Sequence, residues 1–272
     1  MKILNKKRII VSGAAGRMGK TICRMVIAEN DYELVGAVDV IETGTDIYKI
    51  LGIKSKKELY INDDIVEEID HKGPDVVIDF TNPEVVMDNI KKVLKTKTKM
   101  VVGTTGFDQS DLEEVRELSK KYDTQIMIAP NFALGAVMMM EFSKKAAKYF
   151  NQAEIIELHH DGKMDAPSGT SVKTAEMISE SREKPKAKTD RKFIEKLKGA
   201  RGADFDDIHI HSVRLQGLVA HQEVIFGGEG QTLKIRHDSI DRQSFMPGIK
   251  MAVNKIDELE GLIYGLDEIM DI

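Results

Sequence analysis

A single cysteine, Cys23, stands in 272 residues. One thiol excludes an internal disulfide and suits a reducing compartment. No run approaches the roughly 18 consecutive apolar residues of a membrane span, so no membrane partner is expected. The segment from Met1 to Arg8 is short and basic and passes straight into an apolar run. It shows neither the apolar core nor the cleavage site of a secretory signal, which makes the cytoplasm the expected location. Positive charge is not in excess: 40 Lys and Arg stand against 45 Asp and Glu, a net charge of −5. That balance argues against nucleic acid as the main partner. There is no internal repeat and no low-complexity segment. Zinc-type spacing is missing too, since the cysteine is alone and no His-x-x-x-His occurs, so no metal site is expected.

What is present describes a globular chain with two unlike halves. Hydrophobic residues make up 42%, enough for a substantial core. At roughly 100–200 residues per domain, the length admits one large domain or two ordinary ones. Up to about residue 130, apolar runs alternate with helical patterns. Residues 7–12, 32–38, 75–80, 99–102 and 125–129 read as strands. Ile22, Met25, Val26 and Ile27 mark a first helix that also holds Cys23. Pro83 suits the first turn of another. Ser110-Asp111-Leu112-Glu113 has the form of a capping box and predicts a helix to about residue 121. Residues 41–69 carry no clear pattern. Continuous apolar strands alternating with helices predict a parallel sheet covered on both faces.

Past residue 130 the pattern changes. A helix is predicted over 134–149, with Val137 to Met140 as core packing. Strands over 153–159, 208–215, 219–226 and 231–236 follow without helices between them. Gln216-Gly217 and Gly227 to Gly230 separate the last three. Short links predict antiparallel neighbours. The tail over 243–257 is helical again, apart from Pro247-Gly248, and is expected to return to the first domain.

Gly13-Ala14-Ala15-Gly16-Arg17-Met18-Gly19 follows the first strand and opens the first helix. This is a variant of the dinucleotide fingerprint. The first glycine allows the tight turn, the second admits a pyrophosphate, and the third lets helix and strand pack closely. Phosphates then meet free N–H groups at the helix start. Asp39 ends the second strand, where a carboxylate accepts hydrogen bonds from the adenosine ribose hydroxyls. Its charge opposes a 2′-phosphate, and Val40 follows it rather than an arginine. Arg17 is the nearest group able to offset such a phosphate. The balance favours NADH, with NADPH also usable. Gly103-Thr104-Thr105 and Ala129-Pro130-Asn131-Phe132 end strands, where ligands of open α/β sheets bind. They are read as meeting the nicotinamide carboxamide. The blander account, a glycine-rich turn with Asp39 as a strand-end cap, leaves the agreement of strand, loop, helix and acid unexplained.

The densest chemistry lies at His159-His160-Asp161-Gly162-Lys163-Met164-Asp165-Ala166-Pro167-Ser168-Gly169-Thr170. Imidazoles trade protons near neutral pH, and a lysine beside them donates one or holds an anion. The Ser168-Gly169-Thr170 turn at a helix start offers N–H groups and hydroxyls to a carboxylate. The set suits a small anion that must be gripped and protonated. A structural hydrogen-bonded turn explains an isolated His pair, but not this company.

Assembled, these segments resemble the 4-hydroxy-tetrahydrodipicolinate reductase (dihydrodipicolinate reductase) family over nearly the whole length. The resemblance rests on the glycine loop, Asp79-Phe80-Thr81, Gly103 to Phe107, Ala129 to Phe132 and above all the block from His159 to Thr170. Gly199 to Gly202, Ser212-Val213-Arg214 and His221 to Val224 also look like family segments. It implies an α/β fold. A Rossmann-type parallel-sheet domain spans 1–130 and is completed by 241–272; an α+β domain with a mostly antiparallel sheet spans 131–240 and serves substrate binding and oligomerisation. It implies reduction of a cyclic imine dicarboxylate by NADH or NADPH, with loss of water, in lysine and meso-diaminopimelate synthesis. By position, His159 is the proton donor or acceptor and Lys163 the proton donor. His160, Ser168, Gly169 and Thr170 hold substrate. Gly13 to Met18, Asp39, Gly103 to Thr105 and Ala129 to Phe132 line the cofactor. A homotetramer built through the second sheet is implied as well. Where many relatives carry further basic residues after His160, this chain has Asp161-Gly162. The competing expectations are another nicotinamide-dependent imine or semialdehyde oxidoreductase, and a non-enzymatic NAD(H) sensor. The basic stretch 182–201 reads as a solvated face, and His209, His211, His221 and His237 as structural.

Overall fold

The computed structural model describes residues 6–183 and 194–272. Two compact units emerge: the described residues up to Phe132 together with Phe245–Asp271, and those of Ala133–Ser244. The first unit holds β1 (Lys7–Ser12), α1 (Arg17–Ala28), β2 (Tyr32–Val38), α2 (Ile47–Leu51), α3 (Ile65–Lys72), β3 (Val76–Asp79), α4 (Val86–Lys95), β4 (Lys99–Val102), α5 (Gln109–Tyr122) and β5 (Ile126–Ile128). The second holds α6 (Leu134–Ala147), β6 (Gln152–His159), α7 (Gly169–Ser181), β7 (Ala203–Phe205), β8 (Ile208–Arg214), β9 (Ala220–Gly228) and β10 (Gln231–Ser239). The chain then adds α8 (Met246–Lys255) and β11 (Leu262–Tyr264) to the first unit.

The six-stranded sheet runs in the order β11-β5-β4-β3-β1-β2, and every pairing is parallel. Most of its strands are apolar through their middles, because both faces are covered. Ile9, Ile10, Val11, Val76, Val77 and Ile78 are fully buried. Ile90, Val93 and Leu94 of α4 and Val115 of α5 pack on one face with Ile10, Val77 and Val102. The chain order reverses at β1, which has β2 on one side and β3 on the other. The ends of β1 and β3 therefore flank the crevice that open α/β sheets offer to ligands.

The five-stranded sheet runs in the order β10-β9-β6-β8-β7. β6 and β8 are parallel; the other pairings are antiparallel. Its strands alternate, as a sheet with one packed face must. Ala153 and Ile155 of β6 and Val224 and Phe226 of β9 join Ala175 and Ile178 of α7 in one core.

Several elements depart from the sequence reading. Residues 41–69 form α2 and α3, opened by Asp46 and Asp64, whose carboxylates accept from Tyr48 N and from Val66 N and Glu67 N. The capping box of α5 belongs to Asp108 and Asp111, each accepting the other's backbone N–H, and not to Ser110 and Glu113. Carboxylates at that spacing outcompete the serine, which donates to Asp108 instead. Pro83 lies in a turn ahead of α4, because Asn82 accepts from Glu84 N and draws the chain into an Asx turn. The helix predicted to residue 149 ends at Ala147. Helix α7 intervenes between β6 and β8, which is why that pair is parallel rather than antiparallel. Strands β7 and β11 are three residues each, too short for periodicity to reveal. Of the basic stretch 182–201, residues 184–193 lie outside the described residues. Arg182 is not solvated but buried, and its guanidinium meets Asp206.

In α8, a Cβ on Gly248 falls 2.1 Å from the carbonyl oxygen of Phe132. Helix propensity alone favours alanine there by about 1 kcal/mol. The backbone clash costs roughly 1–3 kcal/mol. Gly248→Ala is therefore expected to lower stability by up to about 2 kcal/mol in urea unfolding; a stabilised variant would show that α8 shifts freely.

Candidate active site

The glycine loop sits at the end of β1. Gly13 has φ +79°, and a Cβ there falls 2.4 Å from the carbonyl oxygen of Phe80, in the loop after β3. A Cβ on Gly19 falls 1.9 Å from the carbonyl oxygen of Gly13. These two positions exclude any side chain for reasons internal to the fold. Gly16 caps α1 with extended backbone and no side-chain hydrogen bond, so the first-turn N–H groups keep their capacity for an anion. Ala14 is buried behind the loop, and Arg17 and Met18 begin the helix, Arg17 exposed. Asp39 binds the loop itself: one carboxylate oxygen accepts from Ala15 N at 2.9 Å and the other from Ile41 N at 3.0 Å. Each oxygen retains a lone pair for a further donor. This cradle, open helix end and acid fit a dinucleotide.

Around the end of β3 the structure reveals a residue whose part was not read from sequence. Asp79 is fully buried and accepts from Thr81 N (3.2 Å), Thr81 Oγ1 (2.7 Å), Asn89 Nδ2 (2.9 Å) and Thr104 Oγ1 (3.2 Å). Thr104 is thus buried and turned to Asp79, whereas Thr105 is exposed. Gly103 lies against the Phe80 ring, which a Cβ would enter. Ala129 and Phe132 are buried, Phe132 beside Phe80 with ring centroids 5.7 Å apart, while Pro130 is exposed and Asn131 half-buried.

In the second unit, His159 ends β6. Its Nδ1 lies 2.5 Å from Glu157 Oε2. Glu157 is buried and also accepts a two-pronged fork from Arg214 of β8, at 2.8 and 2.7 Å. Burial alone raises a carboxyl, but hydrogen bonds from Arg214, Ser212 and His159 hold Glu157 below its ordinary range. Burial pushes the His159 imidazole below its usual value. Glu157 opposes that shift, and the charges of Lys163 and Arg214 add to it. An ionised Glu157 only accepts, so the short contact sets a ring hydrogen of His159 on Nδ1, toward the carboxylate. Lys163 Nζ donates to both oxygens of Asp165, at 2.7 and 2.9 Å, which holds the Asp165 carboxyl low. Ser168 caps α7 by accepting from Ser171 N at 3.2 Å. Gly169 and Thr170 form the first turn of that helix, and a Cβ on Gly169 meets nothing within 4 Å. His160 is exposed. Glu157 escaped the sequence reading, although Glu157-x-His159 at strand period places both on one face.

His211 lies 2.8 Å from Glu154 Oε2 and His221 lies 2.7 Å from Asp238 Oδ1, both at hydrogen-bond distance. Among the described residues no group of His, Cys, Asp and Glu is arranged to hold a metal, and no helix is long and apolar enough to cross a membrane.

The depressed pKa of Glu157 means that its contribution to stability is present above the unfolded carboxylate value. It is lost as pH falls through the lower folded one. The urea midpoint is expected to drop on acidification below about pH 4.5. Glu157→Gln should flatten part of that drop; an identical slope would place the acid sensitivity elsewhere.

Comparison with known proteins bears on all of these segments. Residues 7–132 match the family described as dihydrodipicolinate reductase, N-terminus, and residues 135–270 match its C-terminus. The chain is 51% identical over 267 residues to the 4-hydroxy-tetrahydrodipicolinate reductase of Dictyoglomus turgidum, covering 97% of this chain and 98% of that protein. It is 47% identical over 265 residues to that of Syntrophomonas wolfei, covering 97% and 99%. A dipicolinate-bound dihydrodipicolinate reductase from Paenisporosarcina sp. TG-14 superposes with a TM-score of 0.86 at 41% identity, covering 97% of this chain and all of that one. An amine dehydrogenase from Mycobacterium smegmatis, at 12% identity and a TM-score of 0.67, shares the fold alone. The chain belongs to the dihydrodipicolinate reductase family.

Proposed function

We infer that the chain reduces 4-hydroxy-tetrahydrodipicolinate to tetrahydrodipicolinate with NADH or NADPH, losing water, as a step of lysine and meso-diaminopimelate synthesis. The observation that carries this reading is the joint presence of two supported groups in one segment: an imidazole braced by a buried carboxylate, and an ammonium four residues on. The bound nicotinamide supplies the hydride. The chain's part is to hold a diacid and manage protons. The first turn of α7, at Gly169 and Thr170, presents N–H groups to one carboxylate, and the absence of any neighbour around Gly169 leaves space for it. Lys163 and His160 supply cationic and donor character beside it. Negative charge builds on the ring as the conjugated imine is reduced, and in this reading Lys163 Nζ returns a proton. His159 exchanges a proton at Nε2.

We propose NADH as the preferred cofactor. Asp39 faces the glycine loop with no arginine after it, and Val40 is exposed in that place. We further propose a homotetramer formed through the second sheet, whose edge strand β10 is largely exposed.

The substrate is best generated in place from pyruvate and aspartate semialdehyde by the upstream synthase, with NADH absorbance as readout. Wild type is expected to turn over, with Lys163→Ala and His159→Gln each slower by about a hundredfold or more. Equal rates in all three would remove these roles. The same assay with NADPH should give a lower kcat/KM than with NADH; a strong preference for NADPH would overturn the argument from Asp39.

A further inference from the structure

Proton exchange at His159 does not by itself demand Glu157 or Arg214, yet both are built tightly around it. On β6 side chains alternate, so Glu157 and His159 share one face. The register sets Glu157 beside Ser212 and His159 beside Arg214 across the parallel pair. Glu157 is 0% exposed, where a carboxylate without partners is strongly disfavoured. Its Oε1 accepts from Arg214 Nη2 at 2.7 Å. Its Oε2 is shared between Arg214 Nη1 at 2.8 Å and His159 Nδ1 at 2.5 Å. An ionised carboxylate only accepts, so the imidazole must bring its hydrogen to Nδ1 and leave Nε2 bare. Arg214 reaches one step further. Its Nη2 also donates to the backbone carbonyl of Asp165 at 2.7 Å, and the Asp165 carboxylate holds Lys163.

We infer that Glu157 and Arg214 form a positioning pair for the proposed reduction, Glu157 fixing His159 in the tautomer that works through Nε2 and Arg214 tying that imidazole to the turn carrying Lys163. This rests on the assignment of His159 and Lys163 to the reaction. The other neighbours agree with it. Besides Glu157 on its own strand, His159 feels Arg214 from β8 and Lys163 from the turn, while β9 sets uncharged Ala220 beside it. Burial, Lys163 and Arg214 all disfavour the imidazolium, and Glu157 is the one group of this set that favours it. The carboxylate thus does two things: it keeps Nε2 free, and it keeps the imidazole basic enough to take a proton. Substituting it removes both.

The test is the imidazole 15N spectrum of the full-length protein, with the His159 signals assigned by their loss in His159→Gln. Wild type at pH 8 is expected to show Nδ1 protonated and Nε2 bare. In Glu157→Gln the fixed tautomer should be lost and the titration should move down by about one pH unit. Its kcat should fall by at least about tenfold while KM changes by less than about threefold. Glu157→Asp keeps the charge and should recover part of both the titration point and kcat. A wild-type spectrum with the proton on Nε2 would overturn the pair even if no variant folded. So would a Glu157→Gln protein whose tautomer and titration match wild type. A wild type with the expected spectrum but no turnover would instead remove the reaction assignment.

Discussion

The buried fork between Arg214 and Glu157 is the contact around which the second unit's chemistry is arranged. The Glu157 carboxylate leaves water at the parallel seam between β6 and β8 while Arg214 keeps part of its exposure, and a buried carboxylate stripped of its partner is strongly disfavoured. Such a carboxylate is tolerated only when it is hydrogen-bonded, and here Arg214 and His159 supply the donors. The same guanidinium reaches the backbone of Asp165. Strand β6, strand β8 and the turn carrying Lys163 and Asp165 are thereby tied together.

The first unit depends on a different constraint, the exclusion of side chains. Gly13 and Gly19 stand where backbone from the loop after β3 and from the glycine loop itself leaves no room for a Cβ. Close approach of that kind brings α1 down onto the sheet and leaves its first N–H groups uncapped. Asp39 then braces Ala15, so the acid that ends β2 is part of the loop's own framework. Asp79 does comparable work at the end of β3, gathering Thr81, Asn89 and Thr104. Loops that end parallel strands carry ligands well because such networks stiffen them.

Legibility in the sequence followed the length and kind of signal. The parallel strands were plain, since burial on two faces writes an unbroken apolar run such as Ile9-Ile10-Val11. The three-residue strands β7 and β11 were hidden: β7 is too short to show an alternation before its tight turn into β8, and β11 pairs with β5, more than 130 residues back. Helices α2 and α3 announced themselves only through Asp46 and Asp64, caps that look like any loop aspartate until the chain turns. The short-link argument held for β9 and β10, which pair antiparallel, but not for β8 and β9: β6 lies between them, because the crossover through α7 lets β8 pair with β6 in parallel. In the site, His159, Lys163 and Ser168 were visible as unusual residues packed closely in sequence. Glu157 was not, since an isolated Glu in a strand looks like a solvent-facing residue.

Local chemistry belongs to the sequence alone: which runs are apolar, where glycine spares the backbone, and where imidazole, ammonium and helix cap crowd together. These follow from residue type and spacing, which act over a few bonds. Partnership belongs to the tertiary structure. That Glu157 is buried, that Arg214 from 57 residues away grips it, and that the proton of His159 therefore sits on Nδ1 all arise from strand pairing and desolvation. Those terms exist only once distant segments have displaced the water between them.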